Sequence, residues 1–469
     1  MNDNYIGKKG YTIKKKNLTQ TQMYELRKEL TVKPNTGGGG YISNISYPIY
    51  RESENKLYIP RYYGIEKYGN VNKINISDGN NIHLDFEGNL YDYQINIINK
   101  TLNHFNDGGG GLLDVEPGKG KTVMALNLIS KLKKKTLVVV HKTFLMNQWK
   151  ERIQQFLPNA TIGYIQGKTI DTDNKDIVIG MLQTLSTKEF SSDILNEFGF
   201  TIYDECHHLS AEVFSLVMIQ INTKYTLGLS GTMTRKDGLT KVFKWFIGPV
   251  IHKEKTDNKQ EVLIKTIQFE DPTNEEYNKV DTDYRGNPMY SRMITNICNN
   301  DNRTSMIINI IKHELKDTEN VKQIMILAHN KSLINKLYED IAVFDSSVGL
   351  YVGGMKEKEL KESESKKIII ATYAMASEGL DIKTLTSLFM VTPKTDVCQS
   401  VGRILRTNHS RPLVIDIIDA HDIFKRQYSK RKKYYDKKKY KIYNYKNLTS
   451  YLNNEFVQNI KQSKSKCLI

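Results

Sequence analysis

The sequence predicts an α/β protein: two parallel sheets in tandem, each clothed by helices, with a small β-containing segment ahead of them and a basic tail behind. Three observations lead there. A chain of 469 residues needs more than one hydrophobic core, roughly three at about 150 residues per domain. Two separate stretches alternate short, nearly continuous apolar strands with helical patterns, which indicates parallel sheet covered on both faces. The two ends differ in texture from these stretches.

Taken in order, residues 1–88 are rich in Asn, Tyr, Lys and Gly. Short β-prone pieces at 41–42, 47–50 and 56–59 are broken by Pro34, Pro48, Pro60 and the glycine run 37–40, predicting a small irregular accessory domain. Over 89–254, strands are expected at 111–115, 136–140, 176–181, 200–203 and 225–229. A helix over 122–132 sets Ala125, Leu128, Ile129 and Leu132 on one face. Residues 255–302 are polar, with a Gly-Asn-Pro turn at 286–288, and read as an inserted linker or helical element. Over 303–425 a second set of strands is expected at 323–328, 348–352, 367–371, 387–391 and 413–418. The tail, 426–469, continues a segment (425–441) with ten Lys or Arg against one acid, interleaved with Tyr428, Tyr434, Tyr435 and Tyr440.

Composition narrows the function. Lys plus Arg, 68, exceed Asp plus Glu, 52, by 16, a surplus that favours a polyanion partner because neutralised phosphates release counterions. At 39% hydrophobic residues the chain can bury ordinary cores. No apolar run reaches the ~18 residues a bilayer span needs, so no membrane association is expected. The opening MNDNYIGKKGYTIKKK lacks the apolar stretch of a secretory signal. Cys206, Cys298, Cys398 and Cys467 lie far apart with no CxxC pair, which suits a reducing, intracellular compartment. Cys467 falls one place too late for prenylation.

Four motifs carry chemistry. Val115-Glu116-Pro117-Gly118-Lys119-Gly120-Lys121-Thr122 follows a strand and opens a helix. Small residues let backbone N–H groups wrap phosphates, the helix N-terminus favours the anion, Lys121 meets the β/γ charge, and Thr122 offers a hydroxyl to Mg²⁺. Val115 stands where the full GxxxxGK[ST] pattern has its first glycine. Tyr203-Asp204-Glu205-Cys206-His207-His208 ends another strand; Asp204 there can hold Mg²⁺, and Glu205 can orient or deprotonate an attacking water. Ser230-Gly231-Thr232 ends a third strand and alone is only a turn. Gln399 to Arg406 is read as a helix carrying Gly402 and presenting Arg403 and Arg406 on one face, able to reach a γ-phosphate as fingers do. A turn, a stray acidic loop or an exposed basic helix would explain each motif singly. Their order, each at the expected end of an expected element, is what carries weight.

Over about 89–425 the chain thereby resembles the superfamily 2 helicases, with tandem RecA-like domains and a DExH box reading Asp204-Glu205-Cys206-His207. The resemblance implies ATP and Mg²⁺ as cofactors, held by residues 115–122 with Thr122 and Asp204 on the metal. It implies catalytic roles for Lys121, Glu205, Arg403 and Arg406. It places the adenine on Gln94 of Leu90-Tyr91-Asp92-Tyr93-Gln94, although Tyr91 stands where Arg is common. Ser230, Gly231, Thr232, Gln399 and Gly402 would couple the nucleotide to movement. Val140-His141-Lys142-Thr143, then Gln148 and Trp149, resemble motif Ia, Gln183-Thr184 the next motif, and Thr372 with 377–381 motif V. Within the superfamily the look is closest to XPB-like, phage and large-DNA-virus helicases. Residues 229–238 and Asn300-Asp301-Asn302-Arg303 carry that likeness. Lys9-Gly10-Tyr11 and 30–34 resemble viral members related to the poxvirus transcript-release helicase.

The expected activity is ATP-dependent unwinding of, or translocation along, nucleic acid, DNA in preference to RNA. An RNA helicase is one alternative, and an ATP-driven remodeller or transcript-release factor that separates no strands is another. Transcription or replication machinery would be its company, in host cytoplasm or virion for a viral protein and otherwise in the nucleus.

Overall fold

The strands Thr136–Val140, Ile177–Met181 and Phe200–Tyr203 are apolar almost throughout and buried at every position, which a strand tolerates only inside a sheet covered on both faces. In the computed structural model, which describes residues 3–33, 46–116, 118–205, 211–231, 239–254, 261–377, 382–405, 407 and 409–458, they do lie there. The chain divides into two units, 1–255 and 256–469.

The larger sheet of the first unit runs Thr169–Asp171, Ile162–Gln166, Ile177–Met181, Thr136–Val140, Phe200–Tyr203, Tyr225–Ser230, Gly110–Asp114, Val250–Lys253. Every pairing is parallel except that of the edge strand Thr169–Asp171. Because Phe200–Tyr203, Tyr225–Ser230 and Gly110–Asp114 are parallel neighbours, the loops that leave their C-terminal ends share one rim, the place where open α/β sheets bind ligands. Helix Lys121–Leu132 buries Met124, Ala125, Leu126, Leu128 and Ile129 against this sheet's core.

The N-terminal residues build a second sheet in the same unit, ordered Arg51–Glu52, Lys56–Ile59, Gly10–Lys14, Tyr5–Gly7, Ile74–Asn75. Its inner face, Ile6, Tyr11, Ile13, Leu57 and Ile59, packs with Leu26, Leu30 and Tyr63. Arg61 joins it to the rest: the buried guanidinium donates to the carbonyls of Thr223, Lys224 and Gly108, and the Tyr62 hydroxyl donates to that of Gly108 as well.

The second unit's sheet runs Val348–Tyr351, Ile368–Thr372, Ile324–Ala328, Ser387–Met390, Leu413–Asp419, Leu263–Phe269, Lys441–Tyr445, Val457–Gln458. Two expectations are amended here. The expected linker or helical element at 255–302 does hold, among its described residues 261–302, the helices Glu275–Asn278 and Tyr290–Cys298, but it also supplies an interior strand, Leu263–Phe269, hydrogen-bonded on both sides. In the sequence the strand's Leu-Ile-Lys-Thr-Ile-Gln-Phe is interrupted by Lys265 and Gln268 and stands among polar stretches, so it shows no continuous apolar run. The basic segment is not a free tail. Helix Asp422–Lys437 buries Phe424, Arg431 and Tyr435, which fall on one helical face, and Lys441–Tyr445 adds a strand. Arg431 Nε donates to Asp416 at 2.8 Å, its Nη1 to the Lys394 carbonyl at 2.6 Å, and Tyr435 donates to Asp416 at 3.0 Å. Tyr435 and Tyr440 are interior and Tyr434 packs edge-on against both, so these three rings serve the packing of the second unit.

Arg303, within the Asn-Asp-Asn-Arg stretch, opens the helix Asp301–Glu314 with Asn300 as its cap. Fully buried, it makes a two-pronged pair with Asp419 at 2.7 and 2.8 Å and donates to the Val391 carbonyl. Among the described residues no helix is long and apolar enough to cross a membrane.

Candidate nucleotide site

Residues 115–122 carry the chain from Gly110–Asp114 into helix Lys121–Leu132. Gly118 and Gly120 sit at φ 85° and 76°, left-handed values that glycine adopts without a Cβ penalty. At Gly120 a Cβ would lie 2.3 Å from Gln94 Nε2, so a larger residue would also push the Gln94 amide off the loop. Val115 shows why a valine can replace the pattern's first glycine. Its side chain is fully buried, while its N–H donates to the Ser230 carbonyl at 3.0 Å and its own carbonyl accepts from Lys121 Nζ at 3.1 Å. What that position contributes is backbone.

Lys121, 8% exposed, also lies 3.8 Å from Glu205 Oε1. Glu205 itself holds φ 46°, a left-handed conformation sparsely populated by non-glycine residues. Beside it, Asp204 is oriented by two donors: Trp149 Nε1 to Oδ2 at 2.8 Å and the Glu205 N–H to Oδ1 at 3.0 Å. Burial first, and the Glu205 carboxylate second, push the Asp204 carboxyl up to about 6, while the Trp149 N–H and the Lys121 ammonium pull it back. The result is one ammonium and two carboxylates at adjoining strand ends.

Gln94 is tied into the same loop. Its Oε1 accepts the Tyr91 N–H at 3.0 Å, capping helix Asp92–Gly108, and its Nε2 donates to the Lys119 carbonyl at 3.2 Å. The Tyr93 hydroxyl donates to that carbonyl too, at 3.1 Å, and its ring stacks on the exposed Tyr91 with centroids 5.7 Å apart. Two participants had no sequence signal strong enough to assign them. Trp149 was legible only as part of the motif Ia likeness. Glu254 was not legible at all: its carboxylate accepts the Glu116 N–H at 3.2 Å and lies 3.7 Å from Lys119 Nζ.

The residues fit a magnesium nucleotide. A glycine-lined loop at a helix N-terminus can take phosphate oxygens, and Lys121 can neutralise them. Thr122, partly exposed, and Asp204 can share a hard cation with phosphate and water oxygens. Among the described residues no cluster of three His, Cys, Asp or Glu side chains forms a separate metal site.

Farther along the same sheet, Gln183 donates to the His141 carbonyl at 2.9 Å, Gln166 to Thr143 Oγ1 at 3.2 Å, and the Gly167 N–H to Thr184 Oγ1 at 2.9 Å. These bonds join the loops where the motif Ia likeness and the following motif fall. In the second unit, the expected helix is α over Cys398–Gly402, which carries Gln399 and Gly402, and tightens into a 3₁₀ turn at Arg403–Leu405. Arg403 is buried, and its charge acts on Tyr351. Pro117, Cys206, His207, Thr232 and Arg406 lie outside the described residues, as do 378–381 of the motif V likeness.

Residues 87–235 match the family model described as "Type III restriction enzyme, res subunit". A protein of Acanthamoeba polyphaga mimivirus, named "Putative ATP-dependent RNA helicase L396", is 37% identical over 451 residues, covering 93% of this chain and 86% of the relative. "Putative helicase 161L" of invertebrate iridescent virus 6 is 26% identical over 386 residues, 78% of this chain and 85% of that one. Among solved structures, T4 UvsW aligns over 92% of this chain and 96% of its own, with a TM-score of 0.36 and 18% identity. The assignment rests on the long, closely matched mimivirus relative: the chain belongs to the superfamily 2 helicases, in the type found in nucleocytoplasmic large DNA viruses.

Proposed function

We propose that this ATP-driven helicase works on DNA, moving along a strand or duplex by hydrolysing ATP at the Lys121–Asp204–Glu205 cluster. The observation that carries the hydrolytic part is the Lys121 ammonium set 3.8 Å from Glu205, next to an Asp204 carboxylate held by two donors. Bound Mg²⁺ would supply charge neutralisation on the β- and γ-phosphates. The chain's own residues do the rest. Residues 115–122 grip the phosphates through backbone N–H groups and the Lys121 charge, and Thr122 and Asp204 would hold the metal. Glu205 accepts the proton of the attacking water. Arg403 and Arg406 supply positive charge to the transition state. Ser230, hydrogen-bonded through its carbonyl to Val115, with Gly231, Thr232, Gln399 and Gly402, passes the loss of the γ-phosphate to the strand grip, and Gln94 reads the adenine.

The preference for DNA is supported by the XPB-like and phage-like motifs at 229–238 and 300–303. The printed name of the mimivirus relative favours a second reading, RNA as the track. A workplace in host cytoplasm or virion, alongside transcription or replication machinery, accords with the viral relatives. The test is the ATPase rate with duplex DNA, single-stranded DNA or RNA present. DNA should stimulate several-fold more than RNA. Stimulation by RNA alone would establish the second reading, and no stimulation by any of the three would overturn both.

A further inference from the structure

The N-terminal sheet has an outer face that the nucleotide chemistry does not use. Residues 1–75 hold 13 Lys or Arg and 6 Asp or Glu, a net +7 of the chain's +16 in less than a sixth of its length. Part of that charge is displayed in a definite pattern. Tyr5 pairs with Thr12, Thr12 with Tyr58, and Tyr58 with Arg51, so one row crosses four strands. Residues directly opposite in antiparallel pairs share a face, and the adjoining inward residues Ile6, Leu57 and Ile59 fill the core. Tyr5 and Tyr58 therefore stand on the outer face, about 10 Å apart at two strand spacings.

Lysines surround both rings. Lys9 Nζ lies 5.1 Å from the Tyr58 centroid, and Lys56 and Lys73 lie 5.5 and 5.9 Å from that of Tyr5. Lys14 pairs with Lys56 in the next row. Lys9, Arg51 and Lys73 are exposed and both tyrosines are partly so. One acid, Asp3, answers Lys14 at 2.7 Å.

We propose that this face is a binding platform for single-stranded nucleic acid, separate from the strand grip at the sheet ends: Tyr5 and Tyr58 stack unpaired bases, and Lys9, Lys56, Lys73 and Arg51 contact the phosphates. Charge complementarity points to a polyanion. The aromatic row selects the single strand, because duplex bases are already stacked and hide their π-faces. Exchanging a lysine for a base on each ring keeps the ring covered while the lysine turns to the backbone. Arg61 fixes the platform to the ATPase unit at Gly108, Thr223 and Lys224. The inference rests on the chain acting on nucleic acid and is indifferent to DNA or RNA as the track.

The experiment uses the full chain and fluorescence anisotropy with labelled oligothymidylate and with a duplex. Two variants are compared. Tyr5→Leu/Tyr58→Leu keeps an apolar cover over Thr12, and Lys9→Gln/Arg51→Gln/Lys73→Gln changes only exposed side chains. The tyrosine variant should bind oligothymidylate about tenfold more weakly and the duplex within about twofold of wild type. The charge variant should flatten the log–log salt slope for the oligonucleotide by roughly 0.7 for each phosphate it no longer neutralises. Basal ATPase should stay at the wild-type rate in both. Unchanged oligothymidylate affinity in the charge variant overturns the platform whatever the tyrosine variant does. Equal loss for duplex and single strand overturns the stacking role. Either failure would leave wild-type stimulation by DNA intact, so it is distinguishable from failure of the proposed track.

Discussion

Replacing Trp149 with Phe removes one N–H from the nucleotide site and leaves most of the ring. Trp149 is buried and donates to Asp204 Oδ2 at 2.8 Å. A buried hydrogen bond to a charged acceptor contributes about 1.5–3 kcal/mol, and 1.36 kcal/mol is one pKa unit. Losing it should therefore raise the Asp204 carboxyl by about one to two units from its starting point of about 6. The sign follows from the role proposed for Asp204: its ionised form would hold Mg²⁺ and its protonated form would not. Wild type keeps the charged form above its pKa and loses it as pH falls through about 6. The variant loses it from about 7–8 downward. The assay is the free Mg²⁺ concentration for half-maximal ATPase, measured near neutrality and again near pH 9, beside equilibrium binding of a fluorescent ADP without metal. Near neutrality the variant should need about two- to tenfold more Mg²⁺. Near pH 9 the difference should all but vanish, and metal-free ADP binding should be unchanged. A Mg²⁺ defect of the same size at both pH values would refute the reasoning, since a packing defect does not titrate.

Lys121→Ala should abolish ATP turnover while leaving the melting temperature close to wild type, because it removes phosphate countercharge and little core; measurable turnover in the folded variant would remove the loop from the site. Glu205→Gln should bind ATP and nucleic acid and hydrolyse slowly, as single-turnover rates will show, since Gln keeps the shape and cannot take the proton. Arg403→Ala and Arg406→Ala should each lower kcat by about 10³-fold or more with ATP affinity changing far less; normal ATPase with impaired strand binding would make them strand-gripping residues instead. On helix Asp422–Lys437 and just after it, Lys430, Lys433, Lys437 and Lys439 are exposed. Changing them to Gln should flatten the salt slope of nucleic-acid binding by up to roughly 0.7–0.9 per phosphate they neutralise. Arg431→Gln should instead destabilise the fold by about 3–5 kcal/mol, read by thermal denaturation, because it strands the buried Asp416.

The parts of the fold that the sequence disclosed are those whose burial leaves no choice. Strands such as Ile324–Ala328 and Ile368–Thr372 are apolar on both faces, and a run of that kind has few places to go except the middle of a parallel sheet. Leu263–Phe269 failed the same test because Lys265 and Gln268 break its run. Lys265 is accommodated by an ion pair with Glu314, which comes from a helix about fifty residues on and which no local pattern announces. The basic helix misled for a related reason. Counting charge treated Arg431 as one more cation, whereas its partner Asp416 sits in the middle of a strand. A buried Arg–Asp pair looks like two exposed residues until both ends are placed in space.

At the nucleotide site the division falls along a different line. Residues 115–122, 204–205 and 230 could be singled out because the chemistry proposed for them depends on backbone geometry at the end of a strand, and both the strand and the glycines are visible in order. Trp149 and Glu254 act from other elements and through single hydrogen bonds. Their connection to the site exists only after the parallel sheet has put the strands Thr136–Val140 and Phe200–Tyr203 side by side, and Val250–Lys253 next to Gly110–Asp114. Register then does the work. Asp204 follows Tyr203, which pairs with Val139, so the helix that begins at Thr143 brings Trp149 back over the acid. Glu254 follows Lys253, which pairs with Asp114, so its carboxylate arrives at the first residues of the phosphate loop. In both cases a strand end delivers a side chain to the neighbouring strand's loop, and the site is assembled by the sheet as much as by its motifs.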